Sequence, residues 1–96
     1  MHKESTGEDG WRAFIKLCCT FKKTEELEGL FDLFLTLEEK EDIDKRYTIL
    51  KALLEEKLTQ REIAENLGVS ISKITRGSNA LKIISQHLRE ALKKRM

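Results

Sequence analysis

The sequence predicts an all-α fold, and three observations carry that prediction. The chain contains no proline, so no helix interior is broken by one. Charged residues make up 36% and hydrophobic residues 40%, a balance suited to one helical domain built from good helix formers. The apolar residues recur at helical spacing. With 96 residues there is room for one compact core, which excludes a multidomain enzyme.

Residues 1–10 carry two glycines, a serine, a threonine and charges with no apolar period, and are expected to form a mobile arm. Residues 11–96 form a single expected domain. A first helix starts near Trp11, where Trp11, Phe14, Ile15, Cys18 and Phe21 fall on one side and Leu17 and Cys19 widen the stripe to roughly 200°. A second helix runs from about Leu27 to Leu35 and is apolar nearly all round. A third runs from about Leu37 to Lys57, opened by Thr36 and Glu39 in the Thr-x-x-Glu spacing of a capping box.

The apolar face of the third helix is built by Ile43, Tyr47, Ile49, Leu50, Leu53 and Leu54. Arg46 falls inside that stripe, where spacing predicts burial. A guanidinium keeps its proton, so it needs an anion, an aromatic face or a route to water. Snorkelling, a structural salt bridge and a ligand contact are all open readings at this stage. Three wide apolar helices before residue 58 offer more apolar surface than so small a domain can hide, which points to an obligate homodimer with interlocked N-terminal helices. Packing inside a monomer, or onto another protein, is the alternative.

The formal net charge of +1 hides a split. Residues 1–36 hold five basic and seven acidic side chains, and residues 37–58 again five and seven, whereas residues 59–96 hold eight basic and three acidic. A basic last segment keeps a nucleic-acid partner open. The acidic run of Glu38, Glu39, Glu41, Asp42 and Asp44 opens a helix, where the macrodipole favours carboxylates, and reads as a solvated face.

Cys18 and Cys19 are adjacent and cannot staple distant parts of the chain; they read as small apolar core residues in a reduced, cytoplasmic setting. His2 and His87 stand apart, so neither a metal site nor an acid/base pair is expected. No apolar run reaches the ~18 residues of a membrane span.

From Thr59 the pattern becomes specific. Thr59 and Glu62 make a second capping box for a short helix with Ile63, Ala64 and Leu67 inward. Gly68 supplies the left-handed residue that ends it, Val69 plugs the turn, and a new helix opens after Ser70 with Ile71, Ile74, Ser78 and Leu81 inward. This is the helix-turn-helix pattern. Residues 11–58 then form the dimer core, 59–83 a reading head and 84–96 a C-terminal helix. The face away from the core carries Ser72, Lys73, Arg76 and Ala80, with Thr75 and Asn79 flanking. Gln60, Arg61, Ser72, Lys73 and Thr75, with Ile71 at the helix start, form the expected DNA-contacting group.

The segment LTLEEKEDIDKRYTILKALLEEKLTQREIAENLGVSISKITRGSNALK resembles the tryptophan repressor family, and ITRGSN from Ile74 to Asn79 is its most specific part. The likeness extends to the apolar helices from Trp11 to Leu35 and to a closing helix near Gln86 to Arg95. The resemblance implies six helices per subunit, an intertwined homodimer, L-tryptophan as corepressor, and a palindromic double-stranded operator controlling tryptophan synthesis or uptake genes. It also implies that Arg46 and Arg76 sandwich the indole, with Arg76 pairing with the ligand carboxylate. By the same resemblance the Leu33 and Leu35 carbonyls accept from the ammonium, Thr36 walls the site and Gly77 lies beside the ligand. Ala80 stands where better-known members carry a serine that helps hold the amino group, a loss of about 1 kcal/mol. Lys73 replaces a small hydroxyl residue and Ala64 a basic one on the DNA-facing side. Three classes therefore stand: a tryptophan-responsive repressor, a related DNA-binding protein with no ligand or another indole, and a protein-interaction module.

Overall fold

The computed structural model describes residues 7–96 and contains six helices and no strand among them. The expected arm lies outside the described residues over positions 1–6, but its last four positions are helical. The chain divides into two units, residues 1–38 and 39–96.

In the first unit, α1 spans Gly7–Thr20 and α2 spans Thr24–Phe34. Helix α1 thus starts four residues before Trp11. Helix α2 starts three residues earlier than its apolar run suggests. Its first turn holds Glu25 and Glu26, polar in pattern yet favoured beside the positive end of the helix dipole, while Lys23 at the cap makes no side-chain bond. The two helices meet through aromatic rings: Phe14 lies 4.9 Å from Phe34 and 6.1 Å from Phe31 between ring centroids, and within α1 it lies 6.0 Å from Trp11. No residue of α2 is buried, Cys18 is half-buried and Cys19 exposed, so the cysteines are not core residues within this chain.

Helix α3 spans Leu37–Glu55, beginning where the Thr36 capping pattern places it and ending two residues before Lys57. Its last turn runs into Glu56, which takes a left-handed φ of 57°.

Within the second unit, α4 spans Gln60–Leu67, α5 Ile71–Ile83 and α6 Gln86–Arg95. The capping box of α4 is complete: Thr59 N–H donates to Glu62 Oε1 at 2.8 Å, and Glu62 N–H donates to Thr59 Oγ1 at 3.1 Å. Gly68 closes α4 at φ 67°, where any side chain would be strained. Ser70 and Ser85 cap α5 and α6 by accepting from the Lys73 and Leu88 amides. Ile49, Ile63, Ala64 and Ile74 form the buried cluster, with Leu53, Leu67 and Val69 packed on it, so α3, α4 and α5 share one core and Ala64 lies in it rather than on the DNA-facing side. Burying an isoleucine side chain contributes about 1.5–3 kcal/mol, which makes this cluster the anchor of the unit. Arg89 Nη2 donates to the Leu81 carbonyl at 2.8 Å and ties α6 to α5.

Three inward expectations are corrected. Ile71 is 49% exposed, Ile43 50% and Tyr47 47%. Ile71 sits in the first turn of α5, beyond the reach of the Ile63 and Ile74 cluster. Ile43 and Tyr47 lie N-terminal to the part of α3 that the buried cluster engages.

Candidate functional site

Two helix faces of the second unit line a pocket of about 420 Å³. Asp42, Lys45, Arg46, Ile49 and Leu50 come from α3, at successive steps of three, one, three and one residues, which is one face of a helix. Lys73, Arg76, Gly77 and Ala80 come from α5 at the same kind of spacing. Ordinary small-molecule sites have volumes of about 300–1,000 Å³.

Gly77 sets how closely the two helices approach. A Cβ there would stand 3.2 Å from Ile49 Cγ2 and 3.3 Å from Leu53 Cδ1. The crowding that a side chain would cause therefore falls first on α3. Gly77 also lines the pocket.

The pocket combines apolar area from Ile49 and Leu50 with four cations and one carboxylate. None of its five charged side chains makes an ion pair or side-chain hydrogen bond with the other described residues. Arg46 is exposed rather than buried, because it lies at the pocket-facing edge of the α3 stripe and not in the Ile49 cluster. Unpaired guanidinium and ammonium groups around an apolar patch suit a flat, apolar ligand with an anionic group. Ala80 adds no polar side-chain atom.

Of the seven residues expected to bind ligand, four line this pocket: Arg46, Arg76, Gly77 and Ala80. Leu33, Leu35 and Thr36 belong to the first unit and are not among its lining residues. Leu33 is 79% exposed, and Leu35 caps the C-terminus of α2. Sequence reasoning missed Asp42, Lys45, Ile49 and Leu50 as lining residues and gave Lys73 to DNA alone. The available signal was spacing, since these α3 residues flank Arg46 on one helical face.

The expected DNA-contacting group occupies the two helices of the motif. Thr75 Oγ1 lies 3.2 Å from Gln60 Oε1 and 3.1 Å from the Ile71 carbonyl, so its hydroxyl can donate to either and joins α5 to α4. Ser72 Oγ is 3.1 Å from Ser70 Oγ at the start of α5. Arg61, Ser72, Lys73 and Thr75 are exposed and Gln60 is half-buried. The exposure of Ile71 removes it from the core and leaves it on the surface beside Ser72. Among the described residues, no group of three or more His, Cys, Asp or Glu is placed to hold a metal ion, and no helix is long and apolar enough to cross a membrane.

The chain is similar to a Trp operon repressor homolog of Chlamydia trachomatis serovar D, 54% identical over 91% of this chain and 93% of the relative. A homolog of the same description from Chlamydia caviae is 50% identical over 94% and 89%, and one from Vibrio parahaemolyticus 37% over 86% and 81%. The family described as Trp repressor protein matches residues 9–96, the whole of the helical array from the first turns of α1 to the end of α6, and the chain belongs to that family.

Proposed function

We propose that the chain is a cytoplasmic, non-enzymatic transcriptional repressor that binds a palindromic operator as an intertwined homodimer when L-tryptophan occupies the pocket between α3 and α5. The carrying observation is the set of unpaired cations, Arg46 and Arg76 among them, around the apolar patch of Ile49 and Leu50. An indole can stack between guanidinium planes, and the ligand carboxylate pairs with Arg76. The relatives' description as Trp operon repressor homologs supports the repressor reading, and the family resemblance adds tryptophan synthesis or uptake genes as the regulated set.

In this account the reading head is residues 59–83, the dimer core 11–58 and the closing helix 84–96. Dimeric helix-turn-helix proteins, Trp repressors among them, engage half-sites about 34 Å apart, a general value for the class. Arg46 lies on the helix shared with the dimer core and Arg76 on the reading helix. A ligand held by both favours one head position, and its differential affinity for the two positions is the switch. Gln60, Arg61, Ile71, Ser72, Lys73 and Thr75 then meet the groove and its phosphates.

A second reading is favoured by Ala80, which lacks the hydroxyl that better-known relatives offer the amino group: DNA binding without tryptophan, or with another indole. Gel shifts on duplexes selected from a random pool, with and without L-tryptophan and across a salt series, separate the two. The main reading expects a tryptophan-dependent, salt-sensitive shift that Arg46→Ala abolishes while the protein stays folded. An unchanged tryptophan response in that variant overturns it.

A further inference from the structure

We propose that Asp42 holds the ammonium group of the pocket's ligand, and that it makes the site select a zwitterionic amino acid over the des-amino acid carrying the same ring. This rests on the tryptophan reading above. Asp42 is the one carboxylate among the residues lining the pocket. Lys45 and Arg46 follow it at three and four residues, the spacing of helical ion pairs, yet Asp42 makes no ion pair with either. Its charge is therefore available to a ligand.

The opposite wall offers no substitute, since Gly77 and Ala80 carry no polar side-chain atom. Asp42 stands one helical turn from Arg46, a rise of about 5.4 Å. A ring stacked on Arg46 would thus carry its amino-acid head within reach of Asp42, with the ligand carboxylate left to the cations. A des-amino acid would bring a carboxylate towards Asp42 with no ammonium between them, and like charges would repel. Asp42 thus acts in two directions, attracting one ligand class and opposing the other. A carboxylate that merely weakened the field of its neighbouring cations would oppose both ligands alike.

Calorimetric titration of the full chain with L-tryptophan and with indole-3-propionate tests this, using wild type, Asp42→Asn and Asp42→Glu. Asp42→Asn is expected to weaken L-tryptophan roughly fivefold and to tighten indole-3-propionate roughly twofold, modest changes suited to an exposed charge. Asp42→Glu is expected to restore most of the preference for tryptophan. If both ligands change affinity together in Asp42→Asn, or neither changes, the proposal is overturned while the tryptophan site stands. A folded wild type that binds neither ligand overturns the tryptophan reading and this inference with it.

Discussion

Residues 7–38 hold Trp11 and all four phenylalanines, yet no described side chain there is buried; residues 39–96 hold only Tyr47 of the aromatic residues, and all six buried residues among those described are aliphatic and lie there. Apolar supply and core formation have therefore parted company along one chain. In the second unit three helices enclose Ile63 and Ile74, which are 1% and 0% exposed. In the first, two helices touch through Phe14, Phe31 and Phe34 but leave Trp11 61% and Leu33 79% exposed. Two short helices cannot surround a side chain; a third surface is needed. Under the proposed dimer that surface comes from a second copy, and the stability of the first unit becomes a matter of concentration.

The contrast is broken most sharply by Ile74→Ala. Removing a side chain that is fully enclosed is expected to cost about 2–5 kcal/mol in urea unfolding. A cost below about 1 kcal/mol would mean the second unit is no better enclosed than the first. Next in size is Gly68→Ala, which forces a β-carbon into left-handed backbone at φ 67° and should cost about 1–2 kcal/mol. Thr59→Ala removes half of the capping box and should cost about 1 kcal/mol, read by the same unfolding curve.

Leu33→Ala probes the first unit. If a second copy covers this position, its loss should be largest, about 1 kcal/mol, where the protein is concentrated enough to keep the dimer formed, and should fall within about 0.5 kcal/mol as dilution separates the copies. A loss independent of dilution would contradict coverage by a second copy. The smallest effect is expected from Lys93→Ala, whose 3.6 Å pair with Glu56 joins two largely exposed side chains and should shift the melting temperature by no resolvable amount.

The second unit was also the more legible in the sequence. Thr59, Glu62, Gly68 and Ser70 each force a local backbone outcome, so the helix-turn-helix boundaries follow from short-range chemistry. Burial depends on what else surrounds a helix. Ile43 and Tyr47 fit the apolar stripe of α3 but remain about half exposed, because the Ile49 cluster engages only its C-terminal part. Arg46 was misplaced for the same reason, and its exposure lets it face a pocket. Asp42 reads as a solvated carboxylate because an acidic run at a helix start already has a sufficient explanation in the helix dipole; only the α5 face opposite it makes it part of a pocket lining. Leu33, Leu35 and Thr36 rest on family resemblance, since no local pattern marks a backbone carbonyl as a ligand contact.

In the proposed switch the cations of α3 and α5 hold tryptophan. Titrating L-tryptophan into the full chain, wild type and Arg46→Ala in parallel, tests it most directly. Saturable heat in the wild type that disappears in a folded Arg46→Ala variant is the predicted result; binding of equal strength in the variant, or none in the wild type, would contradict the account.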